Sequence, residues 1–229
     1  MDIKIQHRPS YAIAEVNLGN GESIVSEGGA MVTMTSDVTV DTSTMSRGGG
    51  GKALLAGLKR MLTGESFFLN KFSSSSPEGG MVSLAPTLPG DVEQVMLSGT
   101  PLIVQSSSFL AAAPTVNMDT QFGGMKSLFA GESLFWIKMD GQGELLLSSF
   151  GGIFHKDIDG SFICDTGHIC AFEETLSYTV KKVGGWKATL LSGEGLVTRF
   201  EGKGRLYMQT HNSSEFGKYV GKMLPPVKQ

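Results

Sequence analysis

GLKRMLTGE at residues 57–65 is written again as GMKSLFAGE at 124–132 and as GWKATLLSGE at 185–194. Each copy opens on glycine, places a lysine two residues on and closes on Gly-Glu. The flanks repeat as well. Upstream, IVSEGGAMV (24–32), LIVQSSSFLA (102–111) and FICDTGHICA (162–171) share an apolar couplet, a small polar turn and a second apolar stretch. VTVDT (38–42), VNMDT (116–120) and LSYTV (176–180) then alternate apolar and polar residues, the pattern of a half-buried strand. Downstream of each Gly-Glu come FFLNKF (67–72), LFWIKM (134–139) and LVTRF (196–200), which are strands by composition. Glycine-bearing stretches such as 141–143 and 202–204 follow, then MVSLA, ELLLSSF or RLYMQT, so each pair of apolar segments predicts a hairpin.

A period of this length signals one supersecondary unit used three times. The units run over about 22–98, 100–160 and 161–211, each read as strand, turn, strand, connection, strand, turn, strand. A four-stranded unit rarely buries its apolar face alone, whereas three packed together share a core. The expectation is therefore a single all-β domain over residues 1–229 with approximate threefold internal symmetry. Residues 3–22 add two strands ahead of the first unit. The first connection is enlarged by RGGGGKALLA (47–56), and residues 52–62 favour a short amphipathic helix. At the other end, Phe216, Tyr219, Val220 and Met223 stand at helical spacing behind serine cap candidates. They predict a docking helix over about 213–224, stopped by Pro225 and Pro226.

Composition agrees with such a body and excludes several functions. Of 229 residues, 31 are glycine and only 18% are charged, which means many turns and few long solvated helices. A net charge of -3 without a lysine or arginine cluster argues against a nucleic-acid partner. No apolar run is long enough to cross a membrane as a helix, the start carries no export or transit pattern, and two cysteines make no disulfide framework. These features point to the cytoplasm.

Chemical motifs fare poorly against structural readings. GGGGK at 48–52 lacks the phosphate-loop glycine at Ser46 and the hydroxyl at Ala53. Cys164, His168 and Cys170 are weak metal candidates that would share a face only on one straight strand. The repeat aligns the cysteines with Val104 and Leu110, and with Val25 and Met31, which are core positions. Asp165-Thr166-Gly167 is half of an aspartic protease site without its partner triplet, and there is no G-x-S-x-G elbow. No catalytic residue and no cofactor is expected. The repeated Lys59, Lys126 and Lys187 with Glu65, Glu132 and Glu194 admit two readings. The lysines could ring a pseudo-threefold axis as an anion site, or each lysine could pair with its glutamate at a corner the fold needs three times. The second reading is preferred, because repeats keep what a corner requires.

GESFFLNKF (64–72), LPGD (88–91), GESLF (131–135), DTGHICAFEE (165–174) and SGEGLVTRF (192–200), in that order, resemble the altered-inheritance-of-mitochondria (mitochondrial biogenesis) family. The resemblance covers nearly the whole chain and is to the prokaryotic branch, which consists of uncharacterised proteins. It implies an all-β fold of the tryptophan RNA-binding attenuator-like, double-stranded β-helix class, without implying RNA binding. The eukaryotic relatives are associated with the inner mitochondrial membrane. The resulting expectation is a non-enzymatic, homo-oligomeric scaffold or interaction protein, peripheral to a membrane surface or part of an assembly. The alternative is a small-ligand or anion-binding module. For membrane or partner contact the candidates are Leu54, Leu55, Leu58, Met61 and Leu62, flanked by Lys52, Lys59 and Arg60.

Overall fold

IAEVNL folds as strand β2 (Ile13–Leu18), burying Ala14, Val16 and Leu18 and turning Glu15 and Asn17 away from the core, as its period of two requires. The computed structural model describes residues 1–44, 68–119, 136–182 and 196–225. Around β2 lie β1 (Asp2–Gln6), β3 (Ser23–Glu27), β4 (Met31–Met34), β5 (Val38–Thr44), β6 (Phe68–Ser74) and β7 (Gly80–Leu84). The chain continues through β8 (Val92–Ser98), β9 (Leu102–Gln105), β10 (Phe109–Ala112), β11 (Val116–Asp119) and β12 (Trp136–Ser148). It ends with β13 (Ile153–Asp165), β14 (Ile169–Glu173), β15 (Ser177–Lys182), β16 (Leu196–Gln209) and one helix, α1 (Ser213–Gly221). The fold is all-β with a short C-terminal helix.

One sheet of four strands has the order β1-β2-β7-β4. A second, of 12 strands, runs β13-β16-β14-β9-β12-β10-β3-β6-β5, with β8 and β11 also on β12 and β15 on β16. Apolar side chains gather in three clusters. Val16, Leu18, Phe72, Val82 and Leu84 anchor the first, Val104, Phe109, Ile137 and Leu145 the second, and Ile158, Phe172, Phe200 and Leu206 the third.

None of the three predicted hairpins forms. β12 runs through Gly141 and Gly143 without reversing, and β16 runs through Gly202 and Gly204. The first half of β12 lies against β9 and β11, and its second half against β8 and β10. Gly141 has φ 116, and a Cβ there would stand 2.6 Å from Thr115 O. Glycine thus lets one strand bend from one set of partners to another while a neighbouring backbone packs against the bend. β6 and β7 are separate strands joined through the turn in which Gly79 N donates to Ser76 O, but they do not pair: β6 lies between β3 and β5 in the larger sheet and β7 between β2 and β4 in the smaller. Strands at 92–98 and 153–158, which the repeat pattern left unassigned, pair with the second halves of β12 and β16.

The helix starts at a different cap from the serines. Asn212 Oδ1 accepts from Ser214 N at 3.0 Å and Glu215 N at 3.2 Å, because a side chain in the Ncap position reaches the free amides of the first turn. None of its residues is buried. Phe216 touches Phe150 edge to face at 5.1 Å, while Tyr219 and Met223 are exposed.

Candidate functional site

Asp165-Thr166-Gly167-His168 is the sequence-selected segment that the structure describes in full, and its residues all have local tasks. Asp165 accepts from Gly167 N at 2.9 Å and so caps the 3-10 turn Thr166–His168. Thr166 Oγ1 meets Thr198 Oγ1 at 3.1 Å in the interior. A Cβ on Gly167 would fall 2.0 Å from Asn212 Nδ2, so only glycine lets the helix cap pack there. His168 Nδ1 lies 2.8 Å from Gln209 O, and Gln209 Nε2 donates back to Gly167 O at 3.0 Å.

The same turn separates the two cysteines. Cys164 belongs to the third apolar cluster and Cys170 to the second, so they serve different cores. Burial pushes both thiols up to about 12, away from the thiolate that metal ligation or nucleophilic attack needs. Among the described residues no group of three or more His, Cys, Asp or Glu side chains is disposed to hold a metal ion.

The repeated Lys59, Lys126, Lys187, Glu65, Glu132 and Glu194 lie outside the described residues. So do Leu54, Leu55, Leu58, Met61 and Leu62.

A cleft of about 260 Å³ opens between β8, β13 and β16, lined in part by Glu93, Met96, His155, Glu173, Arg205 and Tyr207. Its cation is already engaged. Arg205 Nε and Nη2 donate to the two carboxylate oxygens of Asp157 at 2.7 and 3.1 Å, and its backbone N donates to Glu173 at 3.0 Å. Burial raises the Tyr207 phenol, so it remains protonated at neutral pH. The arrangement supplies hydrogen-bonding edges and one imidazole, His155.

A second charged group was invisible in sequence. Arg8, in the loop after β1, grips Asp91 with Nε at 2.8 Å and Nη2 at 3.0 Å, and Nη2 also reaches Glu93 at 2.9 Å. The pairing raises the Arg8 guanidinium, the Asp91 hydrogen bond contributing most. Asp91 closes the LPGD segment, yet nothing in that segment names a partner more than eighty residues earlier.

The surface feature with the plainest chemistry is an unpaired strand edge. Among the described residues β4 pairs with β7 alone, and all four of its residues, Met-Val-Thr-Met, are exposed. Among the same residues the half of β13 near Asp165 pairs only with β16 and exposes Ile163. Among the described residues no helix is long and apolar enough to cross a membrane.

The sequence model of a family described as "Mitochondrial biogenesis AIM24" matches residues 3–211. An uncharacterised protein of Streptococcus pyogenes serotype M6 is 31% identical across 98% of this chain and 92% of its own. The X-ray structure of a Streptococcus pyogenes protein, 28% identical, superimposes with a TM-score of 0.78 and covers 97% of this chain and 99% of that one.

Proposed function

The chain belongs to the AIM24 mitochondrial-biogenesis family, and from the way its strands join we propose that it is a non-enzymatic, self-associating scaffold built as one domain of three equivalent β units. The units are β2–β7, β8–β12 and β13–β16. The observation that carries the proposal is a register that recurs. Met31, Phe109 and Ile169 stand opposite Leu84, Leu147 and Met208, and in each strand the ladder shifts at a bulge before Thr33, Ala111 or Ala171. β12 and β16 act as single bent strands where the first unit uses β6 and β7. The double-stranded β-helix class implied by the resemblance belongs to the same reading.

Under this reading Ser26, Val104 and Cys164 are equivalent, since they lie opposite Asn70, Ile137 and Thr198. Val32, Leu110 and Cys170 follow. The sequence alignment of Val25 and Met31 with the two cysteines is thus one residue out in the first unit, where GGA replaces the 3-10 turn.

Neighbouring units are joined by continuous sheet. β10 of the second unit pairs with β3 of the first, Ala111 opposite Ser26 and Ala112 opposite Val25. β14 of the third pairs with β9 of the second in the same way, Ala171 opposite Val104 and Phe172 opposite Ile103. A body assembled by adding strands to edges, with open apolar edges left over, is suited to adding further copies of itself. Sedimentation velocity on the purified full chain tests this. Species heavier than one chain in the micromolar range are expected, and a strict monomer throughout that range overturns the scaffold reading.

A further inference from the structure

Three units in series have two joints and two ends. The first unit ends on β4, the strand equivalent to β10 and β14, but with no neighbour among the described residues on its outer side. The third ends on the Asp165 half of β13, equivalent to β3 and β9, and among the described residues it too lacks the neighbour those strands have. We infer, resting on the three-unit reading, that β4 of one copy pairs antiparallel with the Asp165 half of β13 in a second copy. Thr33 then faces Cys164, and Met34 faces Ile163.

The register follows from both internal joints. Thr33 corresponds to Ala111 and Ala171, whose partners Ser26 and Val104 correspond to Cys164. Met34 corresponds to Ala112 and Phe172, whose partners Val25 and Ile103 correspond to Ile163. Burial marks the same positions as incomplete. Val32 is 52% exposed, whereas Leu110 and Cys170 are 0% exposed; Ile163 is 60% exposed, whereas Ile103 is 1% exposed. At the joints Leu110, Cys170 and Ile103 are interior and Val25 is half-buried, whereas at the two ends Val32 and Ile163 stand in water.

Other edges of the sheets are guarded. β1 carries Asp2 and Lys4, β15 ends in Lys181-Lys182 and β11 ends in Asp119, the charges by which natural edges discourage pairing. β4 has no charged residue, and from Phe162 to Cys164 neither has β13. The two ends are different surfaces that fit each other, so the contact is head to tail. It leaves a free β4 and a free β13 on every dimer, and growth continues until a ring closes.

Directly opposed residues of an antiparallel pair have Cα atoms about 4.5–5.5 Å apart, within reach of a disulfide. In a Cys164→Val background, which installs the residue found at Val104, one chain carries Met34→Cys and a second, of different tagged length, carries Ile163→Cys. Mixing them under mild oxidation is expected to give a covalent species holding one of each, absent when either chain is oxidised alone. Met34→Lys, at a residue already 40% exposed, is expected to weaken association at least tenfold while leaving the far-ultraviolet circular dichroism of the monomer unchanged. Cross-linking of either chain with itself, or a wild type that self-associates without forming the mixed species, overturns the pairing but not the scaffold. A wild type that sediments only as a monomer overturns both.

Discussion

Replacing Arg8 with methionine keeps most of the side chain's length and removes its charge, which strands the Asp91 carboxylate. That carboxylate is 3% exposed against 43% for Arg8, so the acid is the buried partner and the base its link to solvent. Without Arg8, Asp91 retains the Val92 amide at 2.9 Å as its remaining donor. Breaking a buried pair costs about 3–5 kcal/mol, and the exposure of Arg8 places this case at the lower end, about 3 kcal/mol. For a chain of this size that is a fall in midpoint of about 6–12 °C. The loss reaches beyond the pair, because Asp91 N donates to Gly151 O and Ser149 N donates to Asp91 O, holding the start of β8 against the end of β12. Thermal and urea denaturation followed by circular dichroism measures the effect. The companion Arg8→Met/Asp91→Asn, which removes both charges, is expected to recover at least about 1 kcal/mol of the loss. An Arg8→Met protein within about 0.5 kcal/mol of wild type refutes the claim that the Asp91 charge depends on this contact.

Burial raises the Glu27 carboxyl to about 7, so the folded state binds its proton more tightly than the unfolded chain does. Stability from this group is complete below the unfolded carboxyl pKa and is lost as pH rises through about 7, with a ceiling of about 3 kcal/mol. Urea titrations should show that component of the slope between pH 5 and 8 disappear in Glu27→Gln; an unchanged slope refutes it. Cys164 and Cys170, with thiols raised to about 12, are expected to alkylate at pH 8 at least about a hundredfold more slowly than free cysteine until the protein is unfolded. Rapid labelling of the native protein would contradict their burial. Gly141→Ala and Gly160→Ala meet the same φ of 116, but the new Cβ strikes Thr115 O at 2.6 Å in the first and nothing within 4 Å in the second. Gly160→Ala should therefore cost about 1–2 kcal/mol and Gly141→Ala distinctly more, as read from urea midpoints at constant slope.

Much of the strand content was legible because a strand advertises itself within a few residues. IAEVNL and VNMDT keep their alternation as β2 and β11, whereas VTVDT forms β5 with Val38 buried and Val40 exposed. Glycine was harder to read. Gly141-Gln142-Gly143 has the composition of a tight turn, and the sequence alone cannot distinguish a chain that reverses there from one that bends and carries on. The difference lies in Thr115, whose carbonyl occupies the space a side chain at Gly141 would need. ELLLSSF has the composition of a hairpin's return strand. Its true partner across the ladder is VEQVMLS, which precedes it by some fifty residues and has no place in a local pattern. Arg8 and Asp91 show the same limit for charge, since each looks like an ordinary surface residue until the fold brings them together.

The edge of β4 was hidden for a further reason. MVTM reads as a short apolar strand and so as interior, in line with FLAA and ICAFE at the matching places in the later units. Composition cannot say that FLAA and ICAFE each have a neighbour on both sides and MVTM on one. That depends on order along the chain: a unit is covered by the unit that follows it, and among the described residues no strand of the β3 type stands ready to receive β4 of the first unit. The residues at the open end are as apolar as their buried counterparts, although solvation of one isolated body would favour polar side chains there. Their character is accounted for if Met34 and Ile163 spend their time against another copy, which is the proposition that the mixed cysteine pair examines residue by residue.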